Sequence, residues 1–340
     1  MTRHPTFDAA LSDVPKISMH RKLGSTGLTV TRVGLGLAAL GRPGYINLGR
    51  DADLGADRSV EAMERRCHAM LDCAYAAGVR YFDAARSYGF AEKFLASWLT
   101  TRRVPADAVT VGSKWGYSYI GAWRLDAPAH EIKDLSVGSL RRQLLESRAV
   151  LGDRLRLYQV HSATLESGIL DDRQVLDELM RLRSEGLVVG LTVSGPHQKE
   201  TIDRALDVEI DGVNPFECVQ ATWNLLEPSA GAALARARAQ GWGVIVKEVL
   251  ANGRLTDEHA GPGLKELEPL ARSAGALDVI AFAAALANPW VDVVLSGAVT
   301  ERQFLSNLRA QEITWNPKTL PVVAQPPDQY WAARSRLPWR

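Results

Sequence analysis

Short runs of apolar residues alternate with longer amphipathic stretches along most of the chain, beginning at Val33. The runs have the length of β-strands, and their continuous apolar character is typical of strands buried on both faces. Eight runs are predicted as strands: Val33–Ala38, Val79–Asp83, Val109–Lys114, Leu155–His161, Val188–Val193, Phe216–Gln220, Val244–Lys247 and Val291–Ser296. Stretches with helical spacing lie between them, among them Glu61–Ala77, Leu140–Leu151, Arg173–Glu185, Lys199–Leu206 and Gly231–Gln240.

This alternation predicts the fold class. A repeated strand–helix unit implies parallel pairing with right-handed crossovers, and eight parallel strands close into a barrel. We therefore predict an α/β protein with a (β/α)8 TIM barrel. Two alternating runs around Gly24 and Gly27 predict a β-hairpin between His20 and Arg32, just before the first barrel strand.

The two chain ends are expected to differ from the barrel. We expect a flexible N-terminal extension over residues 1–19, the barrel over 20–312 and an irregular C-terminal tail over 313–340. Prolines recur in the tail and break regular structure, yet Tyr330 and Trp339 lie there too. These aromatic side chains predict that the tail packs on the barrel. The sequence leaves open whether it caps a pocket or packs against the outer helices.

Composition narrows the possible functions. The 340 residues are 46% apolar and 23% charged, which is typical of a folded protein. A net charge of +1 gives no electrostatic footprint for nucleic acid or an anionic membrane surface. The apolar stretch Ala276–Val299 is interrupted by polar residues, so we expect a core helix followed by a strand. We expect a cytoplasmic protein with a small-molecule substrate, no nucleic-acid or membrane partner, and an oligomeric state that the sequence leaves open.

Three sequence features that suggest other chemistry have simpler interpretations. The segment Gly34-Leu-Gly36-Leu-Ala-Ala39 matches a dinucleotide fingerprint, but a polar loop follows it where the Rossmann fold needs a helix. His130-Glu131 resembles half of a zinc motif, but position 134 is Asp, so no metal site is expected. The three cysteines are too few for a disulfide framework, and we expect them to be buried.

Polar residues at the ends of three consecutive predicted strands form the strongest functional signal. Asp83 ends the second strand and Tyr88 follows it, Lys114 ends the third, and His161 ends the fourth. The carboxyl ends of barrel strands carry the chemistry of this fold, and neighbouring strands lie about 5 Å apart. We therefore expect these four side chains to converge on one pocket. A single such residue is most often structural, whereas four together indicate a catalytic site.

The combination of these groups suits proton transfer. A phenol is a weak proton donor at neutral pH, and an adjacent ammonium favours the phenolate, so Lys114 is predicted to lower the pKa of Tyr88. Asp83 would keep Lys114 charged while it is partly buried. His161 would donate a hydrogen bond to a substrate carbonyl oxygen.

At these residues the sequence resembles the aldo-keto reductases, in chain order from about residue 20 to 310. The matching segments are Tyr81-Phe-Asp83-Ala-Ala-Arg-Ser-Tyr88-Gly89 with Glu92, Gly112-Ser-Lys114, Leu157-Tyr-Gln-Val-His161, Gln220 with Asn224-Leu-Leu, and Gly297 to Asn307. The resemblance implies a barrel whose bottom is closed by the hairpin, and reversible carbonyl reduction by a nicotinamide cofactor. It makes Tyr88 the general acid, tuned by Lys114 and Asp83, and gives His161 the placement of the substrate.

The resemblance also assigns cofactor residues, with departures from the family pattern. The cofactor residues it implies are Gly36, Ser194, Gln220, Lys247, Gly297, Gln303 and Asn307. Gly195 follows Ser194 where the family has Asn, and Lys247 stands where an aromatic residue usually stacks on the nicotinamide. Arg302 is the nearby cation for a 2′-phosphate. NADP is the cofactor expected from the family, and these departures leave NAD open.

The loop after the third strand is expected to select the substrate. Trp115, Tyr117 and Trp123 are predicted to form an aromatic wall of the substrate pocket, although such a cluster is as often plain packing. We expect a reductase of a small aldehyde or ketone. The alternative is a weakly catalytic or non-catalytic, redox-sensing nicotinamide-binding partner, as in the potassium-channel β subunits, and the departures at Gly195 and Lys247 motivate it.

Overall fold

The computed structural model describes Ile17, residues 20–314 and residues 323–340. The predicted N-terminal extension, apart from Ile17, and residues 315–322 of the tail lie outside the described residues. The strands are β1 His20–Lys22, β2 Thr29–Thr31, β3 Val33–Gly36, β4 Tyr81–Asp83, β5 Thr110–Trp115, β6 Tyr117–Tyr119, β7 Glu131–Lys133, β8 Leu155–Ala163, β9 Val188–Val193, β10 Cys218–Thr222, β11 Gly243–Lys247 and β12 Val293–Ser296. The helices are α1 Arg50–Leu54, α2 Val60–Ala76, α3 Ala91–Thr101, α4 Val137–Leu151, α5 Arg173–Ser184, α6 Gln198–Leu206, α7 Gly231–Ala239, α8 Glu268–Ala274, α9 Leu277–Leu286, α10 Glu301–Arg309 and α11 Pro327–Ser335.

Eight parallel strands close into the predicted barrel. Their order is β3, β4, β5, β8, β9, β10, β11 and β12, and β12 pairs with β3 to complete the circle. Several strands begin later than predicted: Val79 and Val291 are buried but precede β4 and β12. Apolar character marks burial of a side chain and does not show where backbone pairing begins.

The barrel interior changes from apolar to polar along its axis. Side chains alternate between the interior and the helices along each strand. At the amino-terminal end, interior side chains pack with the hairpin β1–β2, which closes this end as predicted; the cluster comprises Leu23, Leu28, Val30, Tyr81, Leu157, Val188, Cys218, Ile245, Val293 and Leu295. Two positions further along their strands lie Asp83, Gln159, Gln220 and Lys247. The fold therefore collects polar side chains at the carboxyl end of the barrel.

The outer layer of the fold is also close to the prediction. Nine of the ten residues of helix α9 are buried, and β12 follows it, as expected for the segment Ala276–Val299. All three cysteines are buried and unpaired. No single helix of the described residues is long and apolar enough to cross a bilayer, while one pair bent by 90°, Gly263–Ala274 with Leu277–Leu286, meets the criteria of length and composition.

Two segments contain helices that the sequence pattern did not predict. The short helix α1 lies in the polar loop after β3, and α11 lies in the tail that we expected to be irregular. Pro327 occupies the first turn of α11, where a missing N–H costs nothing, so proline starts this helix rather than preventing it. At the chain end, the backbone of Arg340 exchanges two hydrogen bonds of 3.1 Å with Tyr45. The described part of the tail therefore lies against the loop after β3.

Candidate functional site

A cavity of about 630 Å³ lies at the carboxyl ends of the barrel strands. Asp83, Tyr88 and His161 line it, as do all seven residues that were expected to bind a cofactor, namely Gly36, Ser194, Gln220, Lys247, Gly297, Gln303 and Asn307. Lys114 is fully buried and contacts the site through an ion pair with Asp83. The cavity therefore brings the predicted catalytic and cofactor residues into one continuous space.

Asp83 is fixed at the end of β4 by donors from three directions. Lys114 forms an ion pair with Oδ1, while the Tyr81 hydroxyl at 3.1 Å and the Gln220 amide at 3.0 Å both donate to Oδ2. Tyr81 fits there because Gly112 has no side chain: a Cβ at Gly112 would lie 2.6 Å from the tyrosine hydroxyl. The carboxylate is thereby held in one orientation and keeps the Lys114 ammonium in place.

Tyr88 packs against both the Lys114 ammonium and the His161 imidazole. It follows β4 in the loop before α3 and is 9% exposed. The Lys114 Nζ is 4.8 Å from the centroid of the phenol ring, and the His161 ring packs edge-on at 5.5 Å between centroids. The Ser87 hydroxyl lies 3.4 Å from His161 Nδ1. The structure thus gathers the four residues that the sequence placed at three neighbouring strand ends.

The predicted lowering of the Tyr88 pKa is wrong. Burial raises the pKa of this phenol well above its ordinary value, and the Asp83 carboxylate raises it further, while Arg42 acts in the opposite direction. A Tyr88 phenolate would lose its water on burial and would lie near the Asp83 carboxylate. The Lys114 ammonium faces the ring, but it is already paired with Asp83. Tyr88 therefore carries its proton at neutral pH.

His161 is an uncharged imidazole at neutral pH. Burial lowers its pKa well below the usual 6.5, and the cations Lys114, Lys247 and Arg42 lower it further. A neutral imidazole has one N–H donor, which suits a hydrogen bond to a carbonyl oxygen. This state agrees with the role that the sequence suggested.

The far end of the cavity is lined by amides bound to carboxylates. The Gln303 side chain accepts from the Val299 N–H at 3.1 Å and donates to Asp53 at 2.6 Å. Asn307 donates to Asp278 at 2.9 Å. These carboxylates line the same cavity, and sequence reasoning did not identify them, because they come from the loop after β3 and from the start of α9.

A charged network occupies the end of β11, where the family pattern has an aromatic residue. The Lys247 Nζ donates to the Thr222 hydroxyl at 3.1 Å, and the next residue, Glu248, pairs with Arg334 of α11. Burial lowers the pKa of Lys247 to about 8, and Arg334 with Lys247 lowers that of Glu248 to about 2. Glu248 and Arg334 were missed as site residues, although two consecutive charges directly after an apolar strand are a visible signal.

Two of the three predicted substrate residues are absent from the cavity lining of the described structure. Tyr117 lines the cavity. Trp115 is fully buried, because it follows the inward-facing Lys114 and strand alternation turns it toward the helices. Trp123 stacks on Phe90 at 4.9 Å, so it packs beside α3. Both tryptophans are packing residues, which corrects the predicted aromatic wall.

A different aromatic wall borders the cavity, built from the loop after β3 and the chain end. Tyr45 and Trp339 line it, and their rings are 6.0 Å apart. The Arg42 guanidinium lies 4.7 Å from the Trp339 ring centroid and pairs with Glu131 at 2.6 Å. Sequence spacing could not place Trp339 here, since no local pattern tells where a chain end docks.

Comparison with known proteins gives a consistent match. Residues 34–323 match a family model described as the Aldo/keto reductase family. The chain is 26% identical over 308 residues to an L-galactose dehydrogenase from Arabidopsis thaliana, covering 85% of this chain and 87% of that protein. It is 24% identical over 218 residues to an NADH-specific methylglyoxal reductase from Escherichia coli, covering 60% of this chain and 59% of that protein. It is 42% identical over 76 residues to a pyridoxal 4-dehydrogenase from Microbacterium luteolum, covering 22% of this chain and 18% of that protein. The chain spans less than two thirds of these last two relatives.

Solved structures share the fold. A putative aldo-keto reductase from Pseudomonas aeruginosa superposes with a TM-score of 0.64 at 23% identity, covering 88% of this chain and 98% of that one. A glycerol dehydrogenase from Gluconobacter oxydans gives 0.65 at 19% identity, covering 93% and 95%.

Proposed function

The chain belongs to the aldo/keto reductase family, and from this premise we propose that it catalyses the reversible, nicotinamide-dependent reduction of a small aldehyde or ketone to the alcohol. The observation that carries the proposal is the packing of Tyr88 against Lys114 and His161 at one end of the cavity. A proton donor and a neutral hydrogen-bond donor face the same space, which suits a carbonyl oxygen that gains negative charge.

Each residue has a distinct part in this proposal. His161 holds and orients the carbonyl oxygen, and Tyr88 gives that oxygen its proton. Asp83 and Lys114 are positioning residues that fix the base of the site. A nicotinamide held in this cavity would supply the hydride in reduction and accept it in oxidation. Proton donation by a positioned group contributes roughly 10²–10⁴-fold to the rate.

We propose that the cofactor is NAD rather than NADP. If Tyr88 and His161 face the nicotinamide end, Gln303 and Asn307 at the other end of the cavity would hold the adenosine end. Asp53 and Glu258 line that end, and a carboxylate there repels a 2′-phosphate and accepts a hydrogen bond from a 2′-hydroxyl. Arg302 is already paired with Glu258 at 3.6 Å.

For the substrate, we propose a small polyhydroxylated compound such as an aldose. Tyr117 and Trp339 offer flat faces to the C–H surface of a sugar, and the Arg42–Glu131 pair offers hydrogen-bond donors and acceptors to its hydroxyls. The sugar dehydrogenase from Arabidopsis thaliana is also the relative matched over 87% of its length.

The test is a spectrophotometric screen that follows the reduced nicotinamide. Aldoses, other aldehydes, ketones and the corresponding alcohols are each tested with both nicotinamides. We expect turnover of at least one aldose with NAD or NADH. Tight cofactor binding without turnover of any compound would contradict the enzymatic proposal and favour a redox-sensing binding protein.

A further inference from the structure

Lys247 is a half-buried cation in the cavity that the proposed chemistry does not use. It ends β11 and lines the cavity beside Gln220 and Thr222 of the neighbouring strand. Its Nζ donates to the Thr222 hydroxyl at 3.1 Å. Within the described residues, no carboxylate forms an ion pair with this ammonium at 4.0 Å or less.

The neighbouring carboxylate is already neutralised by another group. Glu248 pairs with Arg334, whose Nε donates to Oε2 at 2.8 Å, and the Thr222 hydroxyl donates to the same carboxylate at 3.2 Å. Glu248 also has a left-handed backbone with φ of 56°, which is uncommon for a residue other than glycine. Lys247, Glu248 and Arg334 together carry one net positive charge, and it lies in the cavity wall.

This charge lies close to the reacting groups. Lys247 lines the same cavity as Tyr88 and His161, and Gln220 on the neighbouring strand β10 donates to Asp83 at 3.0 Å. In agreement with this placement, Lys247 is among the cations that lower the pKa of His161. A nicotinamide ring that exchanges hydride with a carbon held at Tyr88 and His161 must therefore lie within the field of Lys247. The inference rests on the proposed function, because it assumes that a nicotinamide binds in this cavity.

We propose that Lys247 stabilises the reduced nicotinamide relative to the oxidised one and so favours oxidation of the alcohol at this site. In that direction the alcohol loses a C–H hydride to C4 of the nicotinamide and its O–H proton to solvent through Tyr88. The oxidised ring is cationic and the reduced ring is neutral, so the ring loses one positive charge. A fixed ammonium nearby disfavours only the oxidised form, because like charges repel.

The test compares the binding of both redox forms. Dissociation constants for NAD and NADH are measured by calorimetry for the wild type, Lys247→Met and Lys247→Arg, with thermal unfolding to verify that each variant folds. We expect the dissociation constant of NAD divided by that of NADH to fall about tenfold or more in Lys247→Met, because the charge that repels NAD is lost. The same ratio should be retained in Lys247→Arg, which keeps the charge. The matched control Arg302→Met removes a cavity cation at the far end and should change both constants by the same factor.

A pH series on the wild type gives a second readout. The groups facing Lys247 are Glu248, Arg334, His161 and the Asp83–Lys114 pair. Because the pKa of Lys247 is lowered to about 8, the ratio should fall as the pH rises through about 8 and stay flat in Lys247→Met.

The outcomes separate this inference from the proposed function. Failure of the wild type to bind either redox form would overturn the proposed function. Binding of both forms with the same ratio in the wild type and Lys247→Met, and no change of the wild-type ratio with pH, would overturn the inference alone. If Lys247→Met does not fold, the pH series on the wild type decides.

Discussion

Glu248 and Arg334 form an ion pair that joins the loop after β11 to the C-terminal helix α11. Both side chains line the cavity, and they lie 86 positions apart in the chain. The pair docks helix α11 of the chain end against the residue that follows Lys247. One contact therefore links the shape of the pocket to the position of the tail.

Breaking this pair should destabilise the protein. Arg334→Met leaves the Glu248 carboxylate, whose side chain is only 8% exposed, without its main partner, which costs about 3–5 kcal/mol in the free energy of unfolding. Urea unfolding measures the change, and a double-mutant cycle with Glu248→Gln isolates the coupling. The matched control is Arg173→Met, whose ion pair with Asp177 is exposed and should contribute less than about 1 kcal/mol. Equal, small effects of both substitutions would show that the pair does not hold the tail.

Cofactor selectivity should depend on the carboxylates at the far end of the cavity. We expect the wild type to bind NAD about tenfold or more tightly than NADP, because Glu258 opposes a 2′-phosphate. Glu258→Gln frees Arg302 and removes one negative charge, so it should tighten NADP binding with little change for NAD. Fluorescence titration with both cofactors measures this. Tighter binding of NADP by the wild type would contradict the assignment.

Stability should decrease on mild acidification in part because of His161. Its pKa is lowered in the folded state, so below about pH 6.5 the unfolded chain binds a proton that the folded protein does not. This contribution is fully present above the unfolded pKa and is lost as the pH falls below it. The free energy of unfolding of the wild type should therefore decrease more steeply than that of His161→Gln between about pH 7.5 and 5.5. Parallel curves for the two proteins would indicate that His161 is not a buried neutral imidazole.

The barrel could be predicted because its signals are local. Continuous apolar runs of strand length indicate burial on both faces, and polar residues at their ends indicate the carboxyl edge of the barrel. Asp83, Lys114 and His161 could therefore be placed at this edge from the sequence alone. The strand order then brings them together without any further information.

The parts that could not be predicted depend on contacts between distant segments. Trp115 is the exception, because it adjoins the inward-facing Lys114 and strand alternation alone turns it away from the pocket. Asp53, Arg334 and Trp339 reach the cavity from a loop and from the chain end, which no periodic pattern predicts. The direction of the Tyr88 pKa shift also required coordinates, because burial and the Asp83–Lys114 pair determine it together.

The central claim is that Tyr88 donates the proton to the carbonyl oxygen, and removing its hydroxyl tests this most directly. Steady-state turnover of the best carbonyl substrate and the cofactor dissociation constant are measured for Tyr88→Phe. Tyr117→Phe is the control, because it removes a hydroxyl elsewhere on the cavity wall. The account predicts that Tyr88→Phe lowers turnover by about 10²-fold or more and leaves the cofactor dissociation constant within about threefold, since only the proton donor is lost. Turnover close to that of the wild type in Tyr88→Phe would contradict it.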